Sequence, residues 1–192
     1  MTQDSLHILV PQELFATAES SLYTGILDVA ELAYGPDIYH FAQPLQWAIT
    51  LTNTGDAILV AGTVRGTGTT ACGRCLEDVA IEVDGEVEGY YLLHEPEDEG
   101  EEEVDDDFDI LPEDNIIDLE PLILGAVLVD LPTMPLCKED CKGLCPDCGT
   151  NLNEGECGCA ETRAAEQAAF DEAKNPFAKL RELNLGEVDS HE

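Results

Sequence analysis

The sequence predicts an α+β fold: an antiparallel β-meander or irregular barrel packed on one buried helix, followed by a C-terminal cysteine-rich knuckle module. Three observations carry this expectation. Alternating apolar residues at Leu45-Gln46-Trp47-Ala48-Ile49-Thr50-Leu51 have the two-residue period of a half-buried strand. The run Leu122, Ile123, Leu124, Ala126, Val127, Leu128 and Val129 has almost no polar face, as expected of a helix covered on all sides. The eight cysteines fall in four tight pairs, Cys72-x2-Cys75, Cys137-x3-Cys141, Cys145-x2-Cys148 and Cys157-x-Cys159.

Along the chain, Ile8-Leu9-Val10 fits a short strand and Pro11 to Glu19 a turn or short helix. Tyr23 to Leu32 mixes apolar and polar residues with no clear period, so residues 1–44 remain unassigned in detail. After the strand at Leu45, Asn53-Thr54-Gly55-Asp56 has turn chemistry, and Ala57 to Cys72 returns as a long strand whose glycines predict bulges or strong twist. Cys72-Gly73-Arg74-Cys75 makes a tight knuckle, and Val79, Ile81, Val83 and Val87 to Leu93 continue the sheet. Glu95 to Asp114 holds 13 acidic residues among 20 and predicts a solvated, mobile loop, because it has too little apolar surface to order itself. Its carboxylates lack the alternating spacing of a calcium-binding EF-hand loop.

Asp118 is a suitable N-cap for a helix from about Leu119 to Leu131, and Pro121 is tolerated in its first turn. Pro132 and Pro135 end that helix. A second helix, alanine-rich and mostly polar, is expected from about Ala160 to Ala173, stopping before Asn175-Pro176. Phe177, Leu180 and Leu183 fit a docked terminal turn. These elements divide the chain into a β-rich core with its helix (1–135, acidic loop 95–114), a knuckle module (136–160) and a C-terminal helix and tail (161–192).

The N-terminus has no basic region, long apolar stretch or small-residue cleavage site, and no segment reaches the roughly 20 apolar residues of a membrane span. The expected setting is the cytoplasm, where thiols stay reduced and paired cysteines mean metal or redox chemistry rather than disulfides. Two tight pairs make one tetrahedral thiolate site, so Cys72, Cys75, Cys137, Cys141, Cys145, Cys148, Cys157 and Cys159 predict two structural zinc ions. Cys145-Pro146-Asp147-Cys148-Gly149 is a strong knuckle signature whose nearest partners are Cys157 and Cys159. That leaves Cys72, Cys75, Cys137 and Cys141 as the other site. Spacing also permits Cys137 and Cys141 to join Cys145 and Cys148, with Cys72 and Cys75 meeting Cys157 and Cys159.

Forty-two acidic residues against eight basic ones give the 192-residue chain a formal charge of −34. Such a surface repels phosphate backbones, excludes broad nucleic-acid binding and suits a basic protein partner. Arg74, Lys138 and Lys142 lie within the cysteine motifs, where they offset the charge of about −2 carried by a four-thiolate zinc. His7, His40, His94 and His191 fall in no catalytic pattern, and there is no P-loop, G-x-G-x-x-G or G-x-S-x-G. The chain is therefore expected to be no enzyme. A thiol- or zinc-responsive regulator is the alternative, although neither C-x-x-C opens a helix in a thioredoxin-like setting.

In order, Ala71-Cys72-Gly73-Arg74-Cys75-Leu76, Ile117-Asp118-Leu119, Leu131-Pro132, Cys141-Lys142-Gly143-Leu144-Cys145-Pro146-Asp147-Cys148-Gly149-Thr150-Asn151-Leu152-Asn153 and Asn175-Pro176-Phe177-Ala178-Lys179-Leu180 resemble the YceD family over about residues 40 to 183. The resemblance implies a non-enzymatic bacterial and plastid protein needed for accumulation of large-subunit ribosomal RNA. Its gene often neighbours that of a small large-subunit ribosomal protein. The implied partner is a basic ribosomal protein of the large subunit or a precursor particle. The family pattern pairs the C-x-x-C of the hairpin with a Cys or His pair after the helix, which favours Cys72, Cys75, Cys137 and Cys141 as one unit. The later C-P-x-C-G cluster is variable in the family.

Overall fold

The computed structural model describes residues 6–94 and 109–174, the last four by backbone alone. The chain divides into two compact units, 1–137 and 138–192.

The first unit is built on two long strands, β6 (Ala57–Ala71) and β7 (Asp78–Leu92), paired antiparallel through fifteen consecutive residues. Before them come β1 (His7–Leu9), a single 3-10 turn at Gln12–Phe15, β2 (Ser20–Leu27), β3 (Glu31–Tyr34), β4 (Asp37–His40) and β5 (Leu45–Asn53). The sheet runs β2-β5-β6, with β7 on the other side of β6. The hairpin β3–β4 reaches β6 through the pair His40↔Thr69. The architecture is α+β, and among the described residues no pairing closes this sheet into a barrel.

Alternation decides the buried face. Leu45, Trp47, Ile49 and Leu51 of β5 are buried, as are Val83, Val87 and Tyr91 of β7. Asn53 closes the β5–β6 turn: its side-chain amide donates to the Leu14 carbonyl at 2.9 Å, and its Oδ1 accepts from the Gly55 amide at 2.7 Å. The predicted turn at 53–56 thus anchors the N-terminal 3-10 turn as well. The segment without a legible period, Tyr23 to Leu32, supplies most of β2 and the start of β3.

The glycines of β6 make no bulge. Its register with β5 and β7 runs without interruption, and the absent side chains permit close approach instead. A Cβ on Gly62 would lie 2.2 Å from the Ala48 carbonyl oxygen, and one on Gly66 2.3 Å from Leu45 Cδ2.

After β7, residues 95–108, most of the expected mobile acidic loop, lie outside the described residues. Its last part is not loop throughout: β8 (Asp109–Ile110) adds parallel to β7 at Tyr91 and Leu92. Then β9 (Ile116–Asp118) pairs antiparallel with β1 and leads to α1 (Glu120–Asp130). The helix therefore begins later than expected and the N-cap is Leu119, with no side-chain cap. Asp118 still contributes, because its carboxylate accepts the Glu120 amide at 3.0 Å.

The helix is not buried all round. Ile123, Ala126 and Val127 enter the core at i, i+3 and i+4 spacing, whereas Val129 is 88% exposed. The all-apolar run concealed this, since it gives no polar stripe from which to read the outward face. Gly85, on the inner face of β7, admits the helix backbone, since a Cβ there would stand 2.7 Å from the Ala126 carbonyl oxygen, and Gly89 makes room for the Leu122 side chain, whose Cδ1 would lie 2.9 Å from a Cβ.

In the second unit a loop with a single bridge, Leu144↔Asn151, leads to α2 (Cys159–Lys174). The terminal turn expected at Phe177, Leu180 and Leu183 lies outside the described residues.

Gly62→Ala tests the packing of the central strands. The new methyl meets backbone on both counts, at the Ala48 oxygen and at Ile49 Cα 2.7 Å away, so little can yield. We expect a loss of about 2 to 3 kcal/mol in urea unfolding. Gly125→Ala, where nothing lies within 4 Å, should raise the midpoint through helix propensity.

Candidate metal centre

The strands β6 and β7 do not meet in an ordinary hairpin turn. Cys72 N–H donates to the Glu77 carbonyl at 2.8 Å, and Leu76 N–H donates back to the Cys72 carbonyl at 2.9 Å. Between these bonds the backbone curls so that both thiols of Cys72-Gly73-Arg74-Cys75 point to one side. Leu76 takes a positive φ of 62° to achieve this, with its side chain in solvent.

The same pattern recurs in the second unit. Cys145 N–H donates to the Thr150 carbonyl at 2.8 Å and Gly149 N–H to the Cys145 carbonyl at 2.8 Å. Here the residue with positive φ, 73°, is glycine. The two C-x-x-C segments are thus the same knuckle, once with the residue best suited to a left-handed backbone and once with leucine.

Each knuckle meets a second cysteine pair. Cys137 places its sulfur 3.6 Å from that of Cys75 and donates its amide to Cys72 Sγ at 3.4 Å. The sulfurs of Cys72, Cys75, Cys137 and Cys141 all lie within 4.8 Å of one another, and so do those of Cys145, Cys148, Cys157 and Cys159. These are the first of the two groupings that spacing permits. Tetrahedral thiolates about 2.3 Å from a zinc stand ~3.8 Å apart, so both tetrads have the size and the soft donor set for such an ion. Either can hold a metal.

The surroundings of the sulfurs differ. Cys72, Cys75 and Cys141 are buried with Cys137 exposed, whereas in the other tetrad only Cys145 is buried, Cys148 is exposed, and Cys157 and Cys159 are intermediate. Burial pushes the Cys72 thiol up, but amide donors at Cys75, Arg74 and Cys137 outweigh it and lower its pKa to about 6. The Thr150 hydroxyl and amide lower Cys148 to about 6 as well. Thiolate character there holds the proton on Cys159, pushed up to about 12 by its hydrogen bonds to Cys148 and Cys157. Four sulfurs so close cannot all ionise without a cation between them, so metal entry must displace protons.

Several supporting residues were not singled out in the sequence. Asn153 donates its side-chain amide to Cys141 Sγ at 3.3 Å and accepts the Lys142 amide at 2.9 Å. Arg163 of α2 forms an ion pair with Asp147 inside the second knuckle. The Asn151-x-Asn153 spacing was the available signal: Asn151 Oδ1 accepts from both the amide and the side chain of Asn153, an arrangement typical of Asx turns. Among the described residues no histidine joins either tetrad: His7 lies against Asp118 and His40 against Glu31 at the surface. No helix among the described residues is long and apolar enough to cross a membrane.

Comparison with known proteins bears on what these centres serve. A family model described as large ribosomal RNA subunit accumulation protein YceD matches residues 60–184. An uncharacterized protein of Mycobacterium leprae is 33% identical over 115 residues, covering 60% of this chain and 52% of its own. One from Mycobacterium tuberculosis is 36% identical over 104 residues, covering 54% and 49%. The Arabidopsis thaliana protein named large ribosomal RNA subunit accumulation protein YCED homolog 1, chloroplastic, is 24% identical over 168 residues, 75% of this chain and 50% of that one. This chain spans about half the length of the curated relatives it matches. No solved structure matches it. The family match begins within β6 and takes in the first knuckle, α1 and all eight cysteines, and on that ground the chain belongs to the YceD family of large ribosomal RNA subunit accumulation proteins.

Proposed function

We propose that this chain is a non-enzymatic, zinc-binding factor of the cytoplasm that supports accumulation of large-subunit ribosomal RNA. It would do so by engaging a basic ribosomal protein or a precursor particle during assembly. The observation that carries the reading is the family match across residues 60–184 together with the two thiol tetrads inside it. Family membership implies the role in ribosomal RNA accumulation, and the name is that of an accumulation factor rather than an enzyme. The charge of −34 supports a protein contact over a direct RNA contact.

In this reading both zincs are structural. Four thiolates fill the coordination shell and leave no position for water or substrate. Apparent binding free energies of such sites in small modules are about 10 kcal/mol or more, enough to hold a second unit with so little regular structure around its cysteines. A second reading, a thiol-responsive regulator, draws on the exposure of Cys148 and the partial exposure of Cys157 and Cys159.

Purified protein should carry two zinc ions by elemental analysis, and Cys145→Ser should leave one. Under mild peroxide or a competing chelator, the tetrad of Cys145, Cys148, Cys157 and Cys159 should release its ion first, because three of its four cysteines are exposed or partly exposed. Full retention of both metals in peroxide would rule out the regulator. Depletion of the protein in its host should lower large-subunit relative to small-subunit ribosomal RNA, and an unchanged ratio would refute the proposed function.

A further inference from the structure

Among the described residues, one edge of the sheet is open beside an apolar groove. β7 pairs with β6 along its whole length, and on its other side, among the described residues, β8 pairs at Tyr91 and Leu92. Among the described residues no strand pairs with that side along 78–89. Two hydrogen bonds fix which backbone groups face it. Asp84 N–H leaves the sheet to reach Asp130 Oδ2 at 2.8 Å, and the Leu92 carbonyl accepts from Leu111 at 2.8 Å. Strand geometry has a period of two, so the amides and carbonyls of Glu86 and Glu88 face the same way.

The groove lies between this edge and α1, lined by Glu86, Glu88, Leu122, Gly125 and Val129. It exists because the helix turns only one face to the core and because Gly125 presents no side chain. The outward row of β7 is Glu82, Asp84, Glu86 and Glu88, and Asp130 stands at the far end of the helix. Of these carboxylates Asp84 has a cationic partner, Arg65.

We propose that this edge is where the chain receives its partner: an extended basic segment, alternating lysine or arginine with apolar residues, adds as a strand alongside Glu86 and Glu88. One face of such a strand sets its cations against Glu86 and Glu88, and the other sets its apolar side chains into the groove at Leu122, Gly125 and Val129. Backbone pairing supplies affinity and the alternating faces supply selectivity. β8 already shows that this edge accepts a strand. A second copy of the chain is disfavoured, since it would bring acidic row against acidic row. The proposal rests on the reading that the partner is a basic protein, and it adds the surface and the form of the segment.

The test uses the zinc-loaded full chain and a fluorescein-labelled octapeptide of alternating lysine and valine. We expect binding by anisotropy that weakens at least tenfold between 50 and 300 mM salt. Gly125→Leu, which fills the groove while favouring the helix, should weaken it a further tenfold or more with the melting temperature kept or raised. A peptide N-methylated at alternate residues should lose binding in one of its two registers of methylation. Failure of the parent peptide to bind, equal binding by both N-methylated peptides, or equal binding by the Gly125→Leu protein would each overturn the proposal. Concentration-dependent dimerisation abolished by Gly125→Leu would reassign the edge to a second copy. In depleted cells, full rescue by Gly125→Leu would overturn this surface and leave the ribosomal role standing. An unchanged RNA ratio on depletion, with peptide binding intact, would overturn the ribosomal role and leave the surface.

Discussion

The fifteen-pair ladder between β6 and β7 is the constraint from which the first unit is built. It is long enough to serve several neighbours at once. Its inner face receives α1 over Gly85 and Gly89, its far side is shared by β5 and the β3–β4 hairpin, and its tip carries Cys72 and Cys75. Each of these depends on an unbroken register, because a slip of one residue would turn every inward side chain outward and misplace both thiols. The glycines of β6 protect that register. At Gly62 the backbone of the neighbouring strand comes so close that any side chain would force it away, and at Gly66 a side chain would displace that of Leu45.

Position on the ladder also governs the chemistry at its tip. A knuckle requires two crossed backbone hydrogen bonds and one residue in the left-handed region, and rigid strands on either side impose this on Leu76 despite its side chain. The second knuckle has no such strands, and there glycine supplies the conformation at Gly149 without strain. The same local geometry is thus reached by tertiary force in one place and by residue choice in the other.

Much of this was legible in the sequence where a pattern had one physical cause. The strand at Leu45 to Leu51 alternates because one face is buried, and the turn at Asn53 to Asp56 follows from side-chain to backbone bonding. The cysteines stood out by spacing, though spacing left two groupings open; the family pattern favoured one of them, and three-dimensional proximity separates them. Other features had no such mark. In β2 the inward residues Ser21, Tyr23 and Gly25 are only half covered, so burial never wrote a period into the sequence. In α1 every candidate face was apolar, and the outward one was decided by where the β7 glycines allowed the backbone to approach. The parallel pairing of β8 involves two residues, too few to signal a strand.

The order in which partners occur along the chain has a kinetic consequence. β1 spans His7–Leu9, yet its partner β9 is Ile116–Asp118, and the buried Tyr39 donates its hydroxyl to the carbonyl of Pro132, 93 residues away. A nascent chain emerging from the N-terminus can form the β5–β6–β7 ladders by short-range closure. Its first strand and the hydroxyl of Tyr39 must wait until most of the first unit has been synthesised. Such long loops are costly to close before contacts reward them. The first unit is therefore completed from its middle outward, with the residues of β1 among the last to find their places.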